Sequence, residues 1–154
     1  MNIQGIAHIG IRIAQFQRAM DFYQALGFQV IREDYRDRVV VLRHTSGAEI
    51  NLLDSVNHYN GGRNVLMDEA LRYAGYTHLA LQVDDIDQSV ERVRGLGIDI
   101  TEGPVTFGDG SRSIFIRDPD RNVIEFSQPD PAMRQRGLSL TRTSQTQPSG
   151  EVQL

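Results

Sequence analysis

The sequence predicts an α+β protein made of two tandem βαβββ modules. The chain repeats its pattern without a gap at an offset of 70 residues, so that residues 7–13 align with 77–83 and residues 26–28 with 96–98. Each copy begins with apolar residues at every second position and continues with apolar residues three and four apart, which indicates a strand followed by a helix. Strand and turn signals then follow each helix. A repeated supersecondary unit therefore organises the chain.

The first strand and the helix of each copy have one apolar side. The alternating strand residues are Ile9, Ile11 and Ile13 in the first copy and Leu79, Leu81 and Val83 in the second. The residues at helical spacing are Phe16, Met20, Tyr23 and Leu26, and their counterparts Ile86, Val90, Val93 and Leu96. A period of two buries one face of a strand, and the longer spacing buries one face of a helix. In the second copy, Asp85 is the expected N-cap and Gly97 the expected left-handed residue after the helix.

Three further strands are expected in each copy. They fall at residues 29–32, 38–43 and 48–53, and at residues 99–101, 112–117 and 122–127. The first module then spans residues 1–55 and the second residues 76–129. Residues 56–75 connect them, with a short helix expected at 65–73. Residues 130–154 are rich in Pro, Gln, Ser, Thr and Arg without periodicity, which predicts a disordered tail.

The composition narrows the chemistry. The chain has no cysteine, and all sixteen basic residues are arginines, so thiol nucleophiles, Schiff-base lysines and P-loop lysines are excluded. A net charge of −4 has the wrong sign for a nucleic-acid-binding surface. No apolar run is long enough to cross a membrane, and the N-terminus has no signal-peptide pattern, so a cytoplasmic protein is expected. Histidine, carboxylates, tyrosine and hydroxyls remain for catalysis, an inventory that suits a metal site.

Three residues form a candidate metal site. His8 and His78 occupy the same position in the two copies, and both lie on the strand face opposite the apolar one. Glu125 lies on that face in the last strand of the second copy, where the first copy has Asn51. A lone strand histidine is more often structural. Two equivalent histidines with a carboxylate form a recurrent ligand set for a divalent metal with open positions, which favours the metal.

With these motifs the chain resembles the vicinal oxygen chelate superfamily, which includes glyoxalase I, fosfomycin resistance proteins, extradiol dioxygenases and metal-free bleomycin-binding proteins. The similar segments are residues 8–11, 21–23, 26–28, 77–80 and 116–125, and small glyoxalase-domain proteins are the most similar members. The resemblance implies a U-shaped mixed sheet around a cleft with one divalent metal (Fe, Mn, Ni, Co or Zn), held by His8, His78 and Glu125. It also implies a homodimer with shared sites, in which His8 comes from one subunit and the other two ligands from its partner.

The activity implied by the resemblance is that of a glyoxalase-type lyase or isomerase acting on a small oxygenated metabolite. An Fe(II) extradiol-type dioxygenase and a metal-free protein that sequesters a small molecule stay open as alternatives. Glyoxalase I has a carboxylate ligand where this chain has Asn51, which counts against glutathione-linked activity. Glu49 is the candidate general base, and Asn51 and Arg12 are assigned to substrate binding, with Arg43 as a second candidate for an anionic substrate. The base of a dioxygenase would come from a wider set: His44, His58, Tyr35, Tyr59 and Tyr73.

Overall fold

The computed structural model describes residues 1–57 and 62–132, which contain two helices and eight strands. In chain order they are β1 (Ile9–Arg12), α1 (Phe16–Ala25), β2 (Gln29–Asp34), β3 (Val39–Arg43), β4 (Glu49–Leu53), β5 (Leu79–Gln82), α2 (Ile86–Gly95), β6 (Ile100–Thr106), β7 (Arg112–Arg117) and β8 (Val123–Gln128). The order βαβββ–βαβββ confirms the predicted α+β class and its tandem modules. Within these residues no helix is both long and apolar enough to cross a bilayer.

Each module forms its own four-stranded mixed sheet. The strand order is β1-β4-β3-β2 in the first sheet and β5-β8-β7-β6 in the second. The first strand of each module pairs in parallel with the last, while the remaining neighbours are antiparallel. β1 and β5 are therefore edge strands, and both modules repeat one topology.

The helices end alike but begin differently. The N-cap of α2 is Asp85, whose side chain accepts hydrogen bonds from the backbone N–H groups of Asp87 and Gln88, as predicted. The N-cap of α1 is Gln15, whose side chain makes no capping hydrogen bond although its backbone is equally extended. Gly27 and Gly97 follow the two C-caps with φ of +100° and +70°, a conformation that favours glycine.

One apolar core serves both modules. A single cluster of buried side chains includes residues of both helices and of both sheets, among them Ile13, Leu42, Val93 and Ile124. The apolar positions predicted from the two periodicities supply 7 of its 17 buried residues, and another predicted position, Leu96, is exposed. Burial of one face of each sheet and of the helices in this cluster leaves the opposite face of each sheet to carry the polar residues.

The first module is fastened to the turn between β7 and β8. The Tyr23 hydroxyl on α1 donates to Oδ2 of Asp118 at 2.9 Å. Asp120 in the same turn accepts from the Ala14 backbone N–H at 3.2 Å and is ion-paired with Arg18. Asp118 is 3 % exposed, and burial raises its pKa and that of Tyr23. These contacts fix how the two modules of one chain are placed.

The connecting segment departs from the prediction. Residues 65–73 form turns instead of the expected short helix. The Asn64 side chain accepts from the backbone N–H groups of Leu66 and Met67, and the Asp68 side chain turns back to accept from the Asn64 N–H. Asn64 thus makes the bonds of an N-cap, as Asp85 does in α2, but only one turn follows, at residues 65–68, before the chain continues as bends. Most of the predicted tail, residues 133–154, lies outside the described residues.

Candidate metal centre

His78 and Glu125 meet on one face of the second sheet. His78 directly precedes β5, and the parallel register pairs Ala80 of β5 with Glu125 of β8. Because side chains alternate along a strand, His78 and Ala80 share the face to which Glu125 points. The His78 Nε2 atom lies 2.9 Å from Oε2 of Glu125. The structure thus brings together two of the three predicted metal ligands.

Neighbouring side chains hold this pair in place. The Ser113 hydroxyl on β7 donates to Oε1 of Glu125 at 2.6 Å, and both residues are buried. The Thr77 hydroxyl lies 2.9 Å from Nδ1 of His78, and the Phe115 ring packs edge-on against the imidazole at 5.8 Å. Sequence reasoning missed Ser113, although a hydroxyl within the apolar strand of residues 112–117 was a usable signal.

The donor set of this pair fits a divalent metal. Thr77 engages Nδ1 of His78, which leaves Nε2 directed at the carboxylate. A neutral imidazole nitrogen and a carboxylate oxygen are ligands that zinc, iron, nickel, cobalt and manganese accept. The hydrogen bond between Thr77 and His78, and the one that Glu125 accepts from Ser113, orient both ligands in the way that supporting residues do in metal sites.

His8 does not join the pair within one chain. It directly precedes β1 in the first module and is exposed. Across residues 1–57 and 62–132, no group of three or more His, Asp or Glu side chains is close enough to hold a metal. Within the described residues, His8 is therefore not placed to share a metal with His78 and Glu125.

The equivalent face of the first module carries the other predicted site residues. The register pairs Gly10 with Asn51, just as it pairs Ala80 with Glu125, so Asn51 is the structural counterpart of Glu125. Its Oδ1 atom is buried and has no hydrogen-bond partner in the described part of the chain. An unsatisfied buried acceptor is costly and marks a place where a ligand donor can bind.

Glu49 and Arg12 on this face both have partners. Arg43 donates through Nε and Nη2 to Oε2 of Glu49, at 3.1 and 2.7 Å. Arg12 donates through Nε to the Ser55 hydroxyl at 3.0 Å. Arg43 lies directly opposite Glu49 on β3, so the candidate base and a candidate anion ligand neutralise each other.

The wider set of candidate bases is scattered. His44 follows β3 and packs against Phe28 at 5.4 Å, away from the His78–Glu125 pair. The Tyr35 hydroxyl is bonded to Glu33, and its ring packs on Phe16. Tyr73 is exposed in the connecting segment. The remaining two, His58 and Tyr59, lie outside the described residues.

The fold and this site define a family. The sequence profile of the Glyoxalase/Bleomycin resistance protein/Dioxygenase superfamily matches residues 5–126. The chain therefore belongs to this superfamily, in agreement with the resemblance seen in its motifs. Among curated relatives, lactoylglutathione lyase of Haemophilus influenzae is 34 % identical over 131 residues, which cover 79 % of this chain and 90 % of the relative.

Solved structures share the architecture. A glyoxalase family protein of Enterococcus faecalis superposes with a TM-score of 0.65 at 26 % identity, covering 82 % of this chain and 99 % of the other. An antibiotic binding protein of a Streptomyces species superposes with the same TM-score at 22 % identity, covering 84 % and 99 %. The second similarity establishes the fold alone.

Proposed function

We propose that this protein is a metal-dependent lyase or isomerase of the glyoxalase type, acting on a small metabolite with adjacent oxygen atoms. The observation that carries the proposal is the His78–Glu125 pair, held at 2.9 Å and oriented by Ser113 and Thr77. Relatives named lactoylglutathione lyase support the reaction class. The bound metal would polarise a substrate oxygen and stabilise the negative charge that develops there.

His8 of a second subunit is the proposed third ligand. It lies at the end of an edge strand, and so does His78. Large apolar side chains near both histidines in the sequence are exposed in the single chain: Ile3 is 78 %, Ile6 83 % and Tyr76 96 % exposed. Exposed apolar residues of this size are typical of an interaction surface. A homodimer would bury them and bring His8 to the His78–Glu125 pair of its partner.

A mixed dimer tests this arrangement. His8→Ala and Glu125→Ala subunits, carrying different tags, would be purified as a mixed dimer and as the two parent homodimers. With shared sites, the mixed dimer keeps one intact site and one doubly broken site, so elemental analysis should find about half the wild-type metal, against almost none in either parent. Activity should follow the metal content. A mixed dimer as empty as its parents would contradict sharing, and a full complement in either parent would remove that residue from the ligand set.

Glu49 is the proposed general base, and Asn51 and Arg12 are the proposed substrate contacts. The ion pair with Arg43 occupies Oε2 of Glu49, which leaves Oε1 for proton transfer. Asn51 offers an unsatisfied carbonyl oxygen to a substrate hydroxyl, and it cannot itself act as a base. The Arg12 guanidinium keeps further N–H donors beside its bond to Ser55, which suits a carboxylate.

Two assays separate lyase from dioxygenase chemistry. Glu49→Gln should abolish lyase or isomerase turnover while metal stays bound. In a dioxygenase the Glu49 change would matter little, whereas replacing Fe(II) by Zn(II) would stop oxygen consumption. Glu91→Gln makes the same chemical change at an exposed position of α2 and should leave turnover unchanged. Unchanged turnover in Glu49→Gln would remove Glu49 from the mechanism.

A binding protein without catalysis is the second candidate. The Glu125 carboxylate is already satisfied by His78 and Ser113, so the site is electrostatically complete without a metal. The shared fold of the Streptomyces antibiotic binding protein is compatible with such a role. Purified protein that takes up no metal, and whose stability is unaffected by a chelator, would favour this candidate.

A further inference from the structure

A cavity of about 660 Å³ lies where the second module meets the turn between β3 and β4. We call it the junction cavity and define it by Leu26, Phe28, His44, Val83, Arg92 and Phe126, which are among its lining residues. Its volume is in the range of pockets that hold small organic ligands. None of the three predicted metal ligands lines it. The cavity therefore differs from the candidate metal centre in its polar side chains, although Ala80, which shares a strand face with His78, also lines it.

The cavity exists because the two junctions between the modules are filled differently. The turn of residues 44–48 and the turn of residues 118–122 share their backbone hydrogen bonds, from His44 N to Ala48 O at 2.9 Å and from Asp118 N to Asn122 O at 3.0 Å. Asp118 is bonded to Tyr23 of α1. Its counterpart His44 faces α2, where the residue equivalent to Tyr23 is Val93. The Val93 side chain is shorter than that of Tyr23 and has no hydroxyl to reach across the junction, which leaves space there.

Two cationic or donor groups reach this space. Arg92 in the last turn of α2 donates through Nη2 to the Ala25 carbonyl at 3.2 Å, which holds the guanidinium at the cavity wall. The Ser46 backbone N–H donates to Nδ1 of His44 at 3.1 Å, so the neutral ring carries its proton on Nε2. That Nε2 atom lies beside Gly27, and within residues 1–57 and 62–132 it makes no hydrogen bond.

The apolar part of the cavity wall indicates which chemical group the rest of the ligand carries. Phe28, Phe126, Leu26 and Val83 provide an apolar surface suited to an aromatic or branched hydrocarbon group. Asp84 also lines the cavity. The lining contains one arginine, which suits a monoanion better than a dianion such as a phosphate monoester.

We propose that the junction cavity binds a small organic monocarboxylate with an aromatic or branched apolar body, whose carboxylate accepts hydrogen bonds from Arg92 and His44. Arginine with a second donor is a strong recognition pair for a carboxylate. Binding there would hold the second module against the turn of residues 44–48, in the way that Tyr23 and Asp118 hold the first. The site does not depend on the proposed metal chemistry.

The test uses 2-naphthoate, with 2-naphthamide as a neutral probe of the same shape. Titration of the full chain, followed by amide NMR and calorimetry, should give one site per chain, with shifts concentrated in α2 and residues 44–48. Arg92→Gln should weaken 2-naphthoate about tenfold, the size expected for a lost charge-assisted bond, and change 2-naphthamide less than about twofold. Arg94→Gln removes a charge from the same helical turn outside the cavity, and should leave both affinities unchanged.

A substitution that fills the junction cavity provides a second test of ligand binding. Ala48→Trp places a ring in the cavity and should abolish binding of both probes, while an unchanged melting temperature verifies that the variant is folded. Metal content should stay at the wild-type value in every variant, which separates this site from the metal centre. Equal 2-naphthoate affinity in Arg92→Gln, or shifts centred on His78 and Glu125, would overturn the proposal.

Discussion

The two modules share a backbone and differ in what their equivalent side chains do. Glu125 in the second module is bonded to His78 and Ser113, whereas its counterpart Asn51 has a buried oxygen with no partner in the described residues. The turn with Asp118 locks onto the first module, whereas the equivalent turn with His44 borders a cavity. Strand register and turn geometry are kept because they depend on the backbone. The side chains differ, so one copy carries the His78–Glu125 pair and the other carries Asn51 at the equivalent position.

Substitutions in the two equivalent turns, at Asp118 and at His44, should show the largest difference in unfolding free energy. Asp118 accepts four hydrogen bonds, from the Tyr23 hydroxyl, the Asp120 and Asn122 backbone N–H groups and the Asn122 side chain. Asp118→Ala leaves these buried donors unsatisfied and should lower the free energy of unfolding by about 3 kcal/mol. His44→Ala at the equivalent position should cost less than about 1 kcal/mol because its ring borders a cavity. Urea unfolding of both variants measures the contrast, and equal losses would contradict the asymmetry.

Substitutions at the two helix N-caps, Asp85 and Gln15, should change the unfolding free energy in opposite directions. Asp85→Ala removes the side-chain cap of α2 and should cost about 1 kcal/mol of unfolding free energy. Gln15 has φ and ψ of −145° and 124°, close to the −141° and 116° of Asp85, so Gln15→Asp should form the missing cap of α1. That substitution should stabilise the protein by about 0.5 kcal/mol. Thermal unfolding at neutral pH gives both values, and a destabilising Gln15→Asp would show that another contact restricts this position.

The equivalent positions 51 and 125 should respond oppositely to an apolar residue. In metal-free protein, Asn51→Leu removes an unsatisfied buried oxygen and should raise the unfolding free energy by about 1 kcal/mol. Glu125→Leu leaves the Ser113 hydroxyl without an acceptor and should lower the unfolding free energy by about 1 kcal/mol. The Asn51 variant should nevertheless lose activity if its oxygen binds substrate. Denaturation would be measured on the metal-free form of each preparation and turnover on its metal-loaded form, and a stable, fully active Asn51→Leu would end its assignment to substrate binding.

Low pH should weaken the attachment of the connecting segment, residues 56–75, to the second module. Asn64 and Asp68 in this segment bond to Arg117 and Arg121 of that module. Hydrogen bonding from Arg121, with the nearby charge of Arg117, lowers the pKa of Asp68 to about 2 from the usual 3.8. A carboxyl whose folded pKa is lowered stabilises the fold above its unfolded pKa, and this contribution is lost as the pH falls from about 4 to about 2. Asp68→Asn should remove that part of the acid transition and change little of the remaining pH dependence. A wild-type-like acid profile in this variant would contradict the role of the ion pair.

The sequence by itself determined the repeat, the element order and the face on which His78 and Glu125 lie, because strand and helix periodicity follow from local burial. It missed the turns of residues 65–73, where the Asn64 and Asp68 side chains bond to the backbone and one turn replaces the expected helix. It also did not foresee that Ser113 bonds to Glu125, that Arg43 neutralises Glu49, or that one chain keeps His8 away from the other two ligands. Only the tertiary structure decided these features. They depend on contacts between distant segments, such as Tyr23 and Asp118 at 95 positions apart, which no local pattern specifies.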